Sequence, residues 1–252
     1  MSFNVAADAY DRFMGRYSRL LSGPLADVAA VRAGQRVLDV GCGTGALTGE
    51  LVRRLGAAAV VAVDPSEPFV VATRERHPGV EVQHAAAESL PFEDGAFDAT
   101  LAQLVVHFMK EPVAGLSEMR RVTRRDGIVV ACVWDHGGGS GPLALFWDAA
   151  REMDAGVHGE SHLPGARQGH LEALFKAAGL RNVESTALSV SLAHTSFEAW
   201  WEPYTQGVGP AGAYLASLTA SQRIGLREAC RRRVPAEPFT VTAVAWTARG
   251  LA

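Results

Sequence analysis

The chain has 252 residues, 48% of them apolar and 20% charged, which are the proportions of an ordinary globular protein able to close a core without disulfides or structural metal. Its 24 basic and 27 acidic residues leave a formal charge of −3, which argues against the basic face that duplex nucleic acid requires. The length suits one large α/β domain and is short for two.

The N-terminal segment carries Asp8, Asp11, Arg12, Arg16 and Arg19 among its apolar residues, so it has no uninterrupted secretory h-region. Nowhere does an apolar run approach the roughly 20 residues of a membrane helix. The cysteines, Cys42, Cys132 and Cys230, are odd in number and far apart. They fit a reducing compartment rather than a disulfide framework or a metal site, so a cytoplasmic protein without bound metal is expected.

From Arg36 the pattern alternates. Residues 36–40 read as a buried strand, ended by the glycine-rich turn 41–45. Leu47, Leu51 and Leu55 then mark one face of a helix. Ala58 to Val63 is a second strand ending at Asp64-Pro65, and Ser66 is placed to cap a helix that stops before Pro78. Strands follow at Val80–Gln83, Phe97–Leu101 and Gly127–Val133, with a helix at Val113–Val122 before the last. Further on, Leu143–Met153 and Leu171–Ala178 read as helices, the latter ended by Gly179. Thr186–Leu192 and Phe239–Trp246 alternate as strands around a Trp-rich segment. The basic run Arg231, Arg232, Arg233 reads as a solvated helix end.

Such β-α-β-α order argues for a parallel sheet covered on both faces, with ligands beyond the carboxyl ends of its strands. The glycine turn, Asp64, Gln103 and Trp134 all fall at such ends and can face one crevice. Taken alone, Gly41-Cys42-Gly43-Thr44-Gly45-Ala46 fits dinucleotide binders as well, with Asp64 at a suitable distance for a ribose. Asp39 tilts the balance. A carboxylate there opposes a pyrophosphate, by about 4 kcal/mol at 4 Å and an effective dielectric of 20, and favours a cationic ligand. The same carboxylate can instead bond the loop itself.

Four blocks at family spacing resemble a class I S-adenosylmethionine-dependent methyltransferase of the small-molecule, type 11-like branch. They are Val37-Leu38-Asp39-Val40-Gly41-Cys42-Gly43-Thr44-Gly45, the acidic Asp64, Ala87-Glu88-Ser89-Leu90-Pro91-Phe92 with Gly95-Ala96-Phe97-Asp98, and Glu118–Val122 with Asp126-Gly127-Ile128. Tyr10 to Ser18 resembles the lead-in helix of that branch. The resemblance implies a Rossmann-like α/β fold, a seven-stranded mostly parallel sheet with an antiparallel last strand, helices on both faces and a small cap or lid insertion. One domain over 1–252 is expected, with lid helices in 1–35, the cofactor core in 36–134, and the cap and C-terminal strands in 135–252.

The resemblance also implies roles. Gly41, Cys42, Gly43 and Gly45 pass under the methionine part of S-adenosyl-L-methionine, and Asp39 faces its amino group. Asp64 takes the ribose hydroxyls, Pro65 and Ser66 flank the adenine, Ala87 and Glu88 line its edge, and Gln103 closes the methionine side. Tyr10 and Arg16 reach in from the lid. Ala86 departs from the family, which has an aspartate there for the adenine amine; Glu88 is one candidate to replace it. The expected activity is methyl transfer to a small-molecule acceptor by in-line displacement. An NAD(P)-dependent oxidoreductase and a non-catalytic S-adenosylmethionine-binding protein remain as alternatives.

His107, after the fourth strand, is the candidate general base, although the position also suits an ordinary packed histidine. Asp135 and His136 are weaker candidates. The aromatics Tyr10, Phe13, Tyr17, Phe146, Trp147, Trp200, Trp201 and Tyr204 either wall a pocket for an apolar or aromatic acceptor or pack the cap on the sheet.

Overall fold

The computed structural model describes residues 7–252. Two helices open it, α1 (Ala7–Arg12) and α2 (Met14–Ala29), followed by β1 (Val37–Val40), α3 (Ala46–Leu55), β2 (Val60–Asp64), α4 (Glu67–Arg76) and β3 (Glu81–His84). Then come β4 (Phe97–Gln103), α5 (Pro112–Val122), β5 (Thr123–Trp134), α6 (Ala144–Met153), α7 (His170–Ala177) and β6 (Arg181–His194). The cap helices α8 (Phe197–Trp201), α9 (Gly209–Ser217) and α10 (Ala220–Arg233) precede the last strand, β7 (Phe239–Leu251).

The strands form one seven-stranded sheet in the order β3-β2-β1-β4-β5-β7-β6. The first five run parallel, whereas β7 is antiparallel to both β5 and β6. The central strands are continuous apolar runs because helices cover both faces; all residues of β1 and β2 are buried. On one face Leu21 and Leu25 of α2 and Leu47 and Leu51 of α3 pack against Val37, Ala99 and Leu101. Leu25 is fully enclosed, so Leu25→Ala should cost about 2–5 kcal/mol. The opposite face buries Leu38, Val40 and Val61 against Leu116 and Met119 of α5 and Phe175 of α7.

Chain order reverses between β1 and β4, which are neighbours in the sheet. A crevice therefore opens beyond their carboxyl ends. Asp64, Gln103 and Trp134 are the last residues of β2, β4 and β5, so three strands deliver a side chain to the same edge. Gly179 follows α7 at φ +79°, and its N–H returns to the Lys176 carbonyl.

Several boundaries differ from the sequence reading. β7 runs on to Leu251, since it lies between β5 and β6 with partners on both sides; Gly250, which looks like a stop, is where Leu180 packs close to the backbone. Ser66 occupies the N-cap of α4 but makes no side-chain capping bond. Its backbone N–H is held by Asp64 Oδ1 at 2.8 Å instead.

Candidate functional site

β1 ends where Gly41 takes φ +72°, with the Gly41 and Cys42 N–H groups donating to the Val63 carbonyl at 2.8 and 2.9 Å. The chain then turns through Gly43 (φ +55°) and Gly45 (φ +87°) into α3. Two of these glycines serve opposite needs. A Cβ on Gly41 would stand 2.4 Å from Val105 Cγ2, whereas one on Gly43 would meet nothing within 4 Å. Gly43 thus leaves its backbone bare towards open space, the condition for close approach by a ligand.

That space is a cavity of about 500 Å³. Gly41 and Gly43 form its floor, Asp64, Pro65 and Ser66 one side, and Gln103, Leu104, Val105 and Phe108 the other. Tyr10 of α1 reaches over it, its ring 5.4 Å from that of Phe69. Asp64 Oδ2 accepts the Gly43 N–H at 2.9 Å while Oδ1 accepts the Ser66 N–H. Burial raises the Asp64 carboxyl above the usual carboxylate range, and those two N–H groups and His84 oppose the rise. Two bonds to the main chain leave its remaining lone pairs for a ligand.

Asp39 lies deeper, fully buried. Its Oδ2 accepts the Thr48 hydroxyl at 2.7 Å, and its Oδ1 has no partner among the described residues. Burial lifts its carboxyl to about 7. Asp39 is opposite Leu101 in register, so it shares a sheet face with Gln103 two residues further along β4. The Gln103 amide donates to the Ser18 carbonyl at 3.1 Å, and its Oε1 is buried without a partner among the described residues. Buried acceptors of this kind are costly unless something pairs with them. An ammonium or hydroxyl group entering the crevice would supply that partner.

Of the residues expected from sequence, Tyr10, Gly41, Gly43, Asp64, Pro65, Ser66 and Gln103 line this cavity. The others do not. Cys42 is turned into a small separate core with Val70 and Val82. Gly45 faces His77, whose Nε2 is 2.9 Å from the Gly45 carbonyl oxygen. Arg16 reaches the Ala193 carbonyl at 3.4 Å beside a different hollow. Ala87 is buried in the core, and Glu88 Oε1 accepts the Lys110 N–H at 2.8 Å. One Glu88 oxygen is therefore engaged at the turn before α5, and Glu88 is not among the residues lining this cavity. The sequence reading missed Phe69, His84 and Phe108 as cavity walls. His84 ends β3, and the strand-end rule that selects Asp64 and Gln103 would have selected it.

A second, smaller cavity of about 40 Å³ adjoins the first, with Tyr10, Leu104 and Phe108 in the walls of both. Leu104 holds φ +63°, a strained conformation for a side-chain-bearing residue and one that clusters at functional sites. His107 and His136 face this second space with ring centroids 5.9 Å apart. Burial, with His136 adding to it, pushes His107 well below the ordinary imidazole range. Asp135 is occupied elsewhere, accepting the Gly138 N–H at 2.8 Å and the Trp246 indole N–H at 2.9 Å.

Phe146, Trp147, Trp200, Trp201 and Tyr204 line neither of these two cavities, although Trp200 and Tyr204 border the hollow beside Arg16. They are buried in one core cluster, with Phe146 stacked on Tyr204 at 4.7 Å and Phe13 edge-on to Tyr204 at 4.8 Å. Of the eight aromatics singled out in the sequence, Phe13 and Tyr10 alone line the second cavity. Among the described residues no group of three or more His, Cys, Asp or Glu is arranged to hold a metal.

Residues 38–131 match the family described as "Methyltransferase domain". The matched segment carries β1 to β4 and most of β5, the parallel part of the sheet. A demethylmenaquinone methyltransferase of Clavibacter sepedonicus is 38% identical over 141 residues, covering 52% of this chain and 55% of that protein. A malonyl-[acyl-carrier protein] O-methyltransferase of Erwinia billingiae is 34% identical over 129 residues, covering 51% and 50%. The chain thus spans about half the length of these curated relatives. The same fold occurs in a phosphoethanolamine N-methyltransferase of Haemonchus contortus, solved with phosphomonomethylethanolamine and S-adenosylhomocysteine. Its TM-score is 0.58 at 17% identity, over all of this chain and 60% of that one.

Proposed function

We propose that the protein transfers a methyl group from S-adenosyl-L-methionine to a small, apolar or aromatic acceptor. The observation that carries this reading is the pair of carboxylates flanking a bare glycine turn, Asp64 with spare lone pairs and Asp39 with one unpartnered oxygen. Asp64 suits a ribose in either class of ligand, whereas Asp39, when ionised, opposes a pyrophosphate and attracts an ammonium group. When bound, S-adenosyl-L-methionine supplies a methyl carbon on a positively charged sulfur, so the chain's task is mainly alignment, worth about 7–11 kcal/mol when complete.

Asp64 accepts the ribose hydroxyls, and Pro65, Ser66, Phe69 and Phe108 enclose the adenine. Gly41 and Gly43 lie under the amino-acid end, with Gln103 and Asp39 answering its ammonium group. Tyr10 closes the lid. We assign the whole of 1–252 to one unit, with the two opening helices and the segment 195–238 as its cap. Among the described residues no helix is long and apolar enough to cross a membrane. The three cysteines are unpaired and buried, which supports a reducing, cytoplasmic setting.

Calorimetric titration with S-adenosylhomocysteine and with NADH tests the reading. Saturable binding of the first and none of the second is expected. Binding of NADH in preference to S-adenosylhomocysteine would overturn it in favour of an oxidoreductase.

A further inference from the structure

The second cavity is apolar on most sides, walled by Phe13, Met14, Leu143 and the turn 208–211. Yet three of the side chains lining it carry a buried polar atom without a partner among the described residues: Nδ1 of His107, Nε2 of His136 and Nε1 of Trp134. Three such atoms at one hollow are unusual, since buried polar groups are paired in the great majority of cases. The indole is a donor only, and a neutral imidazole offers one lone pair and one N–H. Their complement is a group that both accepts and donates. A hydroxyl does so, whereas an ammonium has no lone pair for Trp134.

Resting on the methyl-transfer reading, we infer that this cavity receives an acceptor with an acidic hydroxyl on an apolar frame, a phenol or enol, and that His107 takes its proton during O-methylation. The acceptor's O–H bond breaks towards an imidazole nitrogen of His107 as its oxygen bonds to the methyl carbon. The electron pair of the former carbon–sulfur bond stays on sulfur, giving a neutral thioether. The proton on His107 then leaves to solvent with the methylated product. His136 and Trp134 position the hydroxyl. The cavity as it stands has room for a few water molecules, enough for the hydroxyl head; seating the frame against the apolar walls requires residues 208–211, at the start of α9, to move aside. Tyr10, Leu104 and Phe108 line both cavities and mark where the two adjoin, the place at which the acceptor oxygen must meet the methyl carbon directly.

Glu160 is the one carboxylate in the wall, and its Oε2 already accepts the Trp147 indole N–H at 2.9 Å. An amine acceptor drawn by Glu160 is the rival outcome. The test uses the full chain with phenol, 4-nitrophenol and benzylamine, followed by mass spectrometry of transferred methyl. It is paired with calorimetric titration of phenol, toluene and benzylamine into protein saturated with S-adenosylhomocysteine.

Phenol is expected to bind that complex at least tenfold more tightly than toluene, and Trp134→Phe to erase most of the difference. His107→Gln should lower the rate on phenol by 100-fold or more, the size of a general-base contribution. On 4-nitrophenol assayed at about pH 8, where it is mostly ionised in solution, the loss should stay within about fivefold, because no proton needs removing. Equal losses on both phenols, no phenol binding, or methylation of benzylamine in preference to phenol would each overturn the inference. Because each arm is run on variants shown to bind S-adenosylhomocysteine as the wild type does, a fold defect is separated from a lost base. Failure of that binding in the wild type would instead strike the methyl-transfer reading.

Discussion

The Gly43 N–H donates to Asp64 Oδ2 at 2.9 Å, so the turn after β1 is fastened to the end of β2 by a carboxylate that also faces the larger cavity. One side chain therefore shapes the binding surface and is part of it. Asp64→Ala should weaken S-adenosylhomocysteine binding at least tenfold, since each hydrogen bond to a charged group contributes about 1.5–3 kcal/mol and about 1.4 kcal/mol is tenfold. Asp64→Asn, which keeps one acceptor, should fall between. An unchanged dissociation constant in the alanine variant, measured calorimetrically, would remove Asp64 from the site.

Asp39 links stability to pH with a definite sign. Burial raises its folded-state value to about 7 from 3.8. Between those values the folded protein holds a proton that the unfolded chain has released. Stability from this group is therefore complete below about pH 4 and drains as pH rises to about 7. Asp39→Asn removes the effect, and it should leave the ligand-free protein more stable at pH 8 by up to roughly 4 kcal/mol at about 1.4 per pH unit. The two proteins should converge near pH 4 in urea denaturation. Binding runs the other way: a cationic ligand prefers the ionised form, so wild-type affinity should rise between about pH 5 and 7 and the variant's should stay flat.

Gly41 is fixed by contact as well as conformation. With φ +72° and Val105 Cγ2 only 2.4 Å from where a Cβ would stand, Gly41→Ala should destabilise the fold by about 1–3 kcal/mol. Val105→Ala in the same chain should return part of that loss, because it removes the clash but not the left-handed backbone. Thermal melting of the single and double variants measures both terms. Full recovery would show that the backbone conformation costs nothing here.

The lid has its own fastening. Asp11 of α1 accepts the Thr44 hydroxyl at 2.5 Å through Oδ1 and pairs with Arg76 at 2.6 Å through Oδ2. These contacts hold Tyr10 over the cavity. Asp11→Ala should speed dissociation of S-adenosylhomocysteine several-fold in stopped-flow measurements, with a smaller change in the association rate. Equal dissociation rates would mean that packing of Tyr10 on Phe69 holds the lid by itself.

The central sheet is readable from sequence because strands buried on both faces are predominantly apolar runs, as Val37–Val40 is apart from Asp39 and Val60–Asp64 is up to its last residue. β5 begins four residues earlier than its apolar run, at Thr123, and the polar Arg124 to Asp126 conceal the start. The glycine turn and Asp64 are legible for a chemical reason, since bare backbone and a strand-end carboxylate are visible as residue types at a fixed spacing. The walls are not, because Phe69, Phe108 and Leu104 reach the cavity through tertiary packing that leaves no periodic trace. Glu88 shows the limit from the other side: its place in a familiar run suggests a ligand contact, while in the fold one of its oxygens accepts the Lys110 backbone N–H and it does not line the larger cavity. His107 and His136 are separated by a whole helix and strand, so their meeting at one hollow is seen only in three dimensions.

The cap is closed by a seam between distant parts of the chain: Phe13 meets Tyr204, and the Tyr17 hydroxyl meets His194 Nε2 at 3.2 Å across 177 positions. On the ribosome, all the walls of the larger cavity emerge before Leu143, Glu160 and residues 208–211 of the smaller one. A nascent chain halted after β5 would carry the whole lining of the larger cavity and only part of the smaller one's. If the smaller cavity receives the acceptor, as proposed, the wall that selects it is the last to be completed.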